Sequence, residues 1–101
     1  MLLREKDKQA LIQIFTSINK PFEVWAYGSR VNGTAHNGSD LDLVIRGQNL
    51  KALEPNDYFV LIEKIRESNI PILVELRDWA RLPNSFHVNI EKKHEVLFIQ
   101  S

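Results

Sequence analysis

Two carboxylates one residue apart carry the clearest chemistry in this chain. Asp40 and Asp42 alternate with Leu41 and Leu43, and the apolar Val44-Ile45 follows. Alternation is the period of a β-strand, so the two acids lean to one face and the two leucines to the other. Residues so placed on one strand face stand roughly 7 Å apart, within joint reach of a cation. Held together in a low-dielectric cleft, two carboxylates repel and one tends to take up a proton. A divalent metal removes that conflict, and carboxylate oxygens suit Mg²⁺, which often sits between one or two acids and the phosphates of a substrate. Gly28-Ser29 supplies a fitting phosphate end, directly after the apolar run Val24-Trp25-Ala26-Tyr27. A glycine leaving a strand lets the backbone approach a ligand, and the serine hydroxyl can donate to a phosphate oxygen. If Ser29 to Val31 begin a helical turn, their N–H groups also face an anion. Asn32-Gly33 and Asn37-Gly38 are turn dipeptides that bring the chain back from the phosphate end to the carboxylate end. The stretch Gly28 to Ile45 reads as a metal-and-phosphate site.

Gly28-Ser29, ten residues, then Asp40-Leu41-Asp42 resembles the GS-x10-D-x-D signature of the DNA polymerase beta-like nucleotidyltransferase superfamily. Within it, the chain is most similar to the minimal nucleotidyltransferases (MNT) encoded beside HEPN-domain partners. Val74-Glu75-Leu76-Arg77-Asp78-Trp79 also resembles that group's third-carboxylate strand, so the likeness covers nearly the whole chain. It implies Asp40, Asp42 and Glu75 as catalytic acids and ligands of two Mg²⁺ ions. It implies Gly28 and Ser29 at the nucleotide phosphates, with Arg30 as a further nucleotide contact. The implied reaction moves AMP from ATP, or a nucleotide from another NTP, to a hydroxyl of a HEPN toxin, most plausibly a tyrosine. This chain would then be the antitoxin.

The third acid departs from the nearest relatives, which usually carry Asp where Glu75 stands; the antibiotic-modifying branch carries Glu. Asp78 is the alternative acid, and an ordinary strand-edge pairing of Glu75 with a nearby arginine is the alternative role. Arg30 likewise reads either as a triphosphate contact or as a solvated turn arginine. Two further functions stay beside the first: a non-catalytic module that silences its partner by binding, and a transferase for a small molecule such as an aminoglycoside, completed by a separate subunit.

Composition sets the frame for these residues. A chain of 101 residues, 44% hydrophobic, is long enough to bury one core, and it reads as a single domain over 1–101. Formal net charge is zero, which argues against strong sequence-independent nucleic-acid binding. No apolar run reaches membrane length, and no charged start with an apolar middle suggests a signal peptide. Cysteine is absent, so disulfides and Cys-ligated zinc are excluded, and a cytoplasmic location is expected. His36, His87 and His94 are scattered, without metal-ligand spacing, and read as solvated or locally paired. No phosphate-binding loop of the G-x-x-x-x-G-K-[ST] type occurs.

The elements that must position the acids follow from periodicity. Leu11, Ile14, Phe15 and Ile18 give residues 4–19 a helical stripe, ended by Asn19-Lys20-Pro21. Phe22 to Tyr27 read as a strand, with Phe22, Val24 and Ala26 on one face and Trp25 and Tyr27 on the other; an aromatic here packs on the sheet or stacks on a base. Asp40 to Arg46 form the second strand. A helix follows, capped by Asn56 or Asp57, with Phe59, Ile62 and Ile65 as its buried stripe. Ile72 to Arg77 read as a third strand in a buried sheet position. Leu82, Phe86 and Ile90 mark a last short helix, and Glu95 to Ile99 a terminal strand. Trp79 is expected in the core or as a partner anchor. Helices alternating with strands predict an α/β (α+β) domain. The resemblance adds a mixed, twisted sheet with flanking helices, the first two strands adjacent and the third beside them.

Overall fold

The computed structural model describes residues 1–101. Helix α1 (Glu5–Thr16) leads into strand β1 (Phe22–Tyr27), and the short helix α2 (Ser29–Asn32) into β2 (Leu41–Gly47). Helix α3 (Pro55–Arg66), β3 (Val74–Asp78), α4 (Asn84–Lys92) and β4 (Glu95–Gln100) complete the chain. The four strands form one mixed sheet in the order β3-β2-β1-β4. β1 pairs antiparallel with both β2 and β4, whereas β2 and β3 run parallel. A parallel pair needs a crossover, and α3 lies within the one between β2 and β3. No helix is long and apolar enough to cross a membrane.

Period-2 alternation divides the sheet into two faces, as the sequence pattern of β1 requires. Phe22, Val24 and Ala26 of β1, with Leu41, Leu43 and Ile45 of β2, are buried in one core with Leu11 and Phe15 of α1 and Leu61 of α3. Phe15, Phe22 and Phe98 meet at ring-centroid distances of 5.4 to 6.3 Å, which ties α1 to β1 and β4. The opposite face carries Trp25, Tyr27 and Val44 under Trp79 and Ile90. Trp79 is therefore a core residue, with its ring 5% exposed, and is not a free anchor for a partner.

Three expectations need correction. The buried stripe of α3 is not centred on Phe59, which is 65% exposed. Leu61 is fully buried, with Tyr58, Ile62 and Ile65 packed beside it. Their spacing of three, four and seven residues is the true helical repeat, and Phe59 lies one step off it. The cap is also displaced: α3 starts at Pro55, whose missing N–H would have no helical partner there, while Asp57 pairs with Lys20 at 2.5 Å. Third, β3 is an edge strand, and β2 and β1 are the internal ones. Only Leu76 and Asp78 of β3 are buried, because α3 covers one of its faces; Tyr58 of α3 donates to the Leu76 carbonyl.

Leu61→Ala should lower unfolding free energy by about 2–4 kcal/mol, whereas Phe59→Ala should change it by less than about 1 kcal/mol. Urea denaturation of both variants measures the difference, and a larger loss at Phe59 would refute this assignment of the helix face.

Candidate active site

The strand register gathers the predicted residues from three segments. Asp42 of β2 is the Cα partner of Tyr27 across β1 and of Glu75 across β3. All three share the face of the sheet opposite the main core. Asp40 lies one residue before β2 and is exposed. Gly28 follows Tyr27 at the end of β1, so the phosphate end and the carboxylate end meet directly.

Gly28 shows how tight that meeting is. Its φ of +79° lies in the left-handed region, and an added Cβ would fall 2.5 Å from Asp42 Oδ2. Both the backbone turn and the close approach therefore demand glycine. Val31 and Asn32 donate their N–H groups to the Gly28 carbonyl, which starts α2 at Ser29, and Gly33 ends it in the left-handed conformation.

Electrostatics at Asp42 are strained. Burial pushes its carboxyl above the ordinary range, and the negative charges of Glu75 and Asp40 push the same way, while the Arg77 guanidinium opposes them. Burial likewise raises the Tyr27 phenol. Arg77 sits among these groups: it donates to Glu75 Oε2 at 2.8 Å, to the Tyr27 hydroxyl at 3.1 Å and to Asp42 Oδ1 at 3.4 Å. The strand-edge pairing of Glu75 with an arginine thus occurs, and it occurs inside the acidic site.

Asp78, the alternative third acid, points into the other face and is buried. It accepts from Leu53 N–H at 2.8 Å and from Ala80 N–H at 3.1 Å, tying the loop before α3 to the turn after β3. Glu75, not Asp78, shares the face of Asp42. Arg30 is not the solvated turn arginine of one reading. It is buried, and its guanidinium donates to the carbonyls of Leu2, Asn37 and Ser39. Its polar end holds the 34–40 loop against the amino-terminal segment.

A cleft of about 280 Å³ opens beside Gly28, between Tyr27 and Asn32 on one side and Ser85, Phe86, Asn89, Ile90 and Lys93 on the other. A larger depression of about 560 Å³ lies by Arg4, Asp7 and Arg30, and none of the three acids lines either one. The smaller cleft is the one lined by Tyr27 and Gly28, the two residues set against Asp42. The wall contributed by α4 was not foreseen from sequence. That wall is fixed by two flat stacks, His94 on Trp25 at 3.9 Å and His87 on Trp79 at 4.0 Å, with the Arg46 guanidinium over Trp25. His87 donates to the Trp79 carbonyl and His94 to that of Ile90, so both are the locally paired histidines expected.

Could these residues accept a metal? The donor set suits a hard divalent cation, since oxygen is the only donor and Asp42 lies under like-charge stress. Arg77 also shows that this position favours positive charge. In this conformation no three acidic or imidazole side chains converge tightly enough to enclose an ion. The types and the electrostatics fit Mg²⁺, and the side chains need to rearrange around it.

Residues 9–101 match the family described as "Polymerase beta, Nucleotidyltransferase". The chain is 40% identical over 79 residues to "Probable protein adenylyltransferase MntA" of Haemophilus influenzae (strain ATCC 51907 / DSM 11121 / KW20 / Rd). That match covers 75% of this chain and 65% of the relative, so the chain spans a little under two-thirds of that protein's length. A structure described as "Crystal structure of the toxin-antitoxin with AMP-PNP" superposes with a TM-score of 0.73 at 20% identity, over 94% of this chain and 75% of the other. At that identity the likeness speaks for the fold.

Gly28→Ala should destabilise the protein by about 1–3 kcal/mol through its backbone conformation and the clash with Asp42. Asp42→Ala introduced alongside should recover part of that loss, with a coupling energy of about 1 kcal/mol in a double-mutant cycle. Strict additivity in thermal or urea unfolding would show that the two residues do not press on one another.

Proposed function

The chain belongs to the polymerase beta nucleotidyltransferase family, and from that premise we propose that it moves AMP from ATP to a hydroxyl of a partner protein. One observation carries the reading: Gly28 and Asp42 touch across β1 and β2, with Glu75 next in line across β3. In this reading Gly28 and Ser29 hold the phosphate tail of the nucleotide. Asp40, Asp42 and Glu75 would hold Mg²⁺, two ions being expected, and the metal would supply the positive charge that offsets the triphosphate. Glu75 also orients the acceptor hydroxyl and takes its proton. The new bond joins the acceptor oxygen to the α-phosphorus; the bond from that phosphorus to the bridging oxygen breaks, and pyrophosphate leaves with its electron pair.

Partner and acceptor rest on likeness. The relative from Haemophilus influenzae is described as a protein adenylyltransferase, and the structural neighbour as a toxin-antitoxin with AMP-PNP. These descriptions support ATP as donor and a toxin as partner. The resemblance to minimal nucleotidyltransferases supports a HEPN-domain toxin modified on tyrosine, with this chain as its antitoxin in the cytoplasm. Gripping the acceptor is then shared with the partner, since positioning can supply a large part of the rate enhancement.

The test incubates the protein with Mg²⁺, ATP and a HEPN-domain protein from the same genome, and follows that partner by intact mass. A gain of one or more AMP units is expected with the wild-type protein. Asp42→Asn should reduce it at least about a hundredfold, because a neutral amide is a far weaker Mg²⁺ ligand. Silencing of the partner with no mass change, matched by Asp42→Asn, would replace this reading with the binding-module one. Transfer to an aminoglycoside in place of the partner would replace it with the small-molecule one.

A further inference from the structure

The two edges of the sheet are finished differently. On β3 the Tyr58 hydroxyl bonds the Leu76 carbonyl, and Glu75 and Arg77 put charge on the strand. Charge and cover of this kind protect an edge from pairing with another chain. β4 lacks both. Glu95 to Gln100 include no lysine, arginine or proline, and their backbone bonds to β1 alone. The one charge on the strand, Glu95, is paired with the Met1 ammonium at 2.9 Å. Two apolar side chains stay open on it, Val96 at 48% and Ile99 at 65% exposed.

The order of faces along β4 says what fits there. Glu95 and Val96 stand opposite Ala26 and Trp25, while Phe98, Ile99 and Gln100 stand opposite Val24, Glu23 and Phe22. Leu97 is the extra residue of a bulge and packs in the main core with Phe98. Val96 and Ile99 therefore share the face of Trp25, and the other four side chains take the core face. From Glu95 onward the order is core, open, core, core, open, core. It reads the same in both directions about the Leu97-Phe98 bond, which is what two-fold pairing of identical strands requires.

We propose that β4 pairs antiparallel with β4 of a second copy of this chain, joining the two sheets edge to edge. Val96 of each copy meets Ile99 of the other on the open face, and Glu95 meets Gln100 on the core face, so no like charges stand opposed. The bulge makes this register possible, since in a regular strand Val96 and Ile99 would lie on opposite faces. A formal net charge of zero leaves no overall repulsion between copies. β3 and its Glu75 fall at the two outer ends of the joined sheet, so the pairing leaves both acidic sites uncovered. Nothing in it depends on the acids being catalytic.

Sedimentation equilibrium of the full chain, carried up to about 0.5 mM so that a dissociation constant of about 100 μM still registers, tests the pairing. The mean mass should rise from 11.7 kDa toward twice that value. Val96→Glu and Ile99→Lys should each raise the dissociation constant at least about tenfold, because every dimer then sets two charges against apolar neighbours. Both positions are exposed in the single chain, and circular dichroism checks that the fold is kept. Mixed in equal amounts, the two variants should recover most of the lost association, since the new carboxylate then meets the new ammonium. A mass that stays at one chain throughout overturns the proposal. Association that neither substitution weakens places the contact elsewhere and overturns it too. Loss in both variants without recovery in the mixture overturns the two-fold register. A chain that is monomeric alone, yet loses its hold on a different protein through Val96→Glu, gives this edge to that partner instead of a second copy.

Discussion

Asp42 is a carboxylate in an internal strand of the sheet, and most of the site can be read as an answer to that placement. Its neighbours Leu41 and Leu43 are fully buried on one face, while Val44 and Ile45 seal both faces one turn of the pleat further on. The strand cannot slip by one residue without driving an apolar row into solvent and a carboxylate into the core. Asp42 is therefore pinned on the open face, half-desolvated and beside a second acid. What surrounds it follows. Gly28 has no side chain because the Asp42 oxygen occupies the space one would need. Arg77 supplies a donor that the half-buried carboxylate requires.

The same placement explains what the sequence made legible. Strand period alone put Asp42 opposite Leu41 and Leu43 and grouped Phe22, Val24 and Ala26 away from Trp25 and Tyr27; the burial pattern agrees at each position. Gly28-Ser29 announced a turn at the end of β1, and one is there. These are local rules, acting over two to five residues, so a single chain displays them. The misread features all depend on tertiary partners. Whether Phe59 or Leu61 faces inward is a choice of phase in one helix, and it is made by the sheet beneath α3. Whether β3 is central or marginal depends on where the chain places β4, which lies beyond β1.

Helix α4 illustrates a third kind of information. Its sequence carried a weak apolar repeat, and Phe86 in that repeat is exposed while Ile90 is buried. What holds α4 over the site face is polar-aromatic: His94 on Trp25, His87 on Trp79, and Arg46 wedged over both tryptophans. Flat stacking of this kind contributes about 0.5–1.5 kcal/mol per pair beyond area burial, modest beside an apolar core. It joins residues up to 69 positions apart (25 and 94), and no periodicity rule links them. The cleft beside Gly28 exists because this stack sets the height of one wall.

Two arginines exchange the roles that adjacency in sequence suggested. Arg30 follows Ser29 directly, so proximity made it the natural phosphate contact. A cation next to a glycine-rich turn can equally be used to close that turn. The loop from Thr34 to Asp40 has no strand or helix to bond its carbonyls, and buried carbonyls require donors. Arg30 provides them for Asn37 and Ser39 and reaches back to Leu2. Arg77 lies 35 residues from Asp42 in sequence, yet parallel pairing of β2 and β3 sets it one pleat along on the same face. Chain topology, not nearness in sequence, decides which arginine meets the carboxylates.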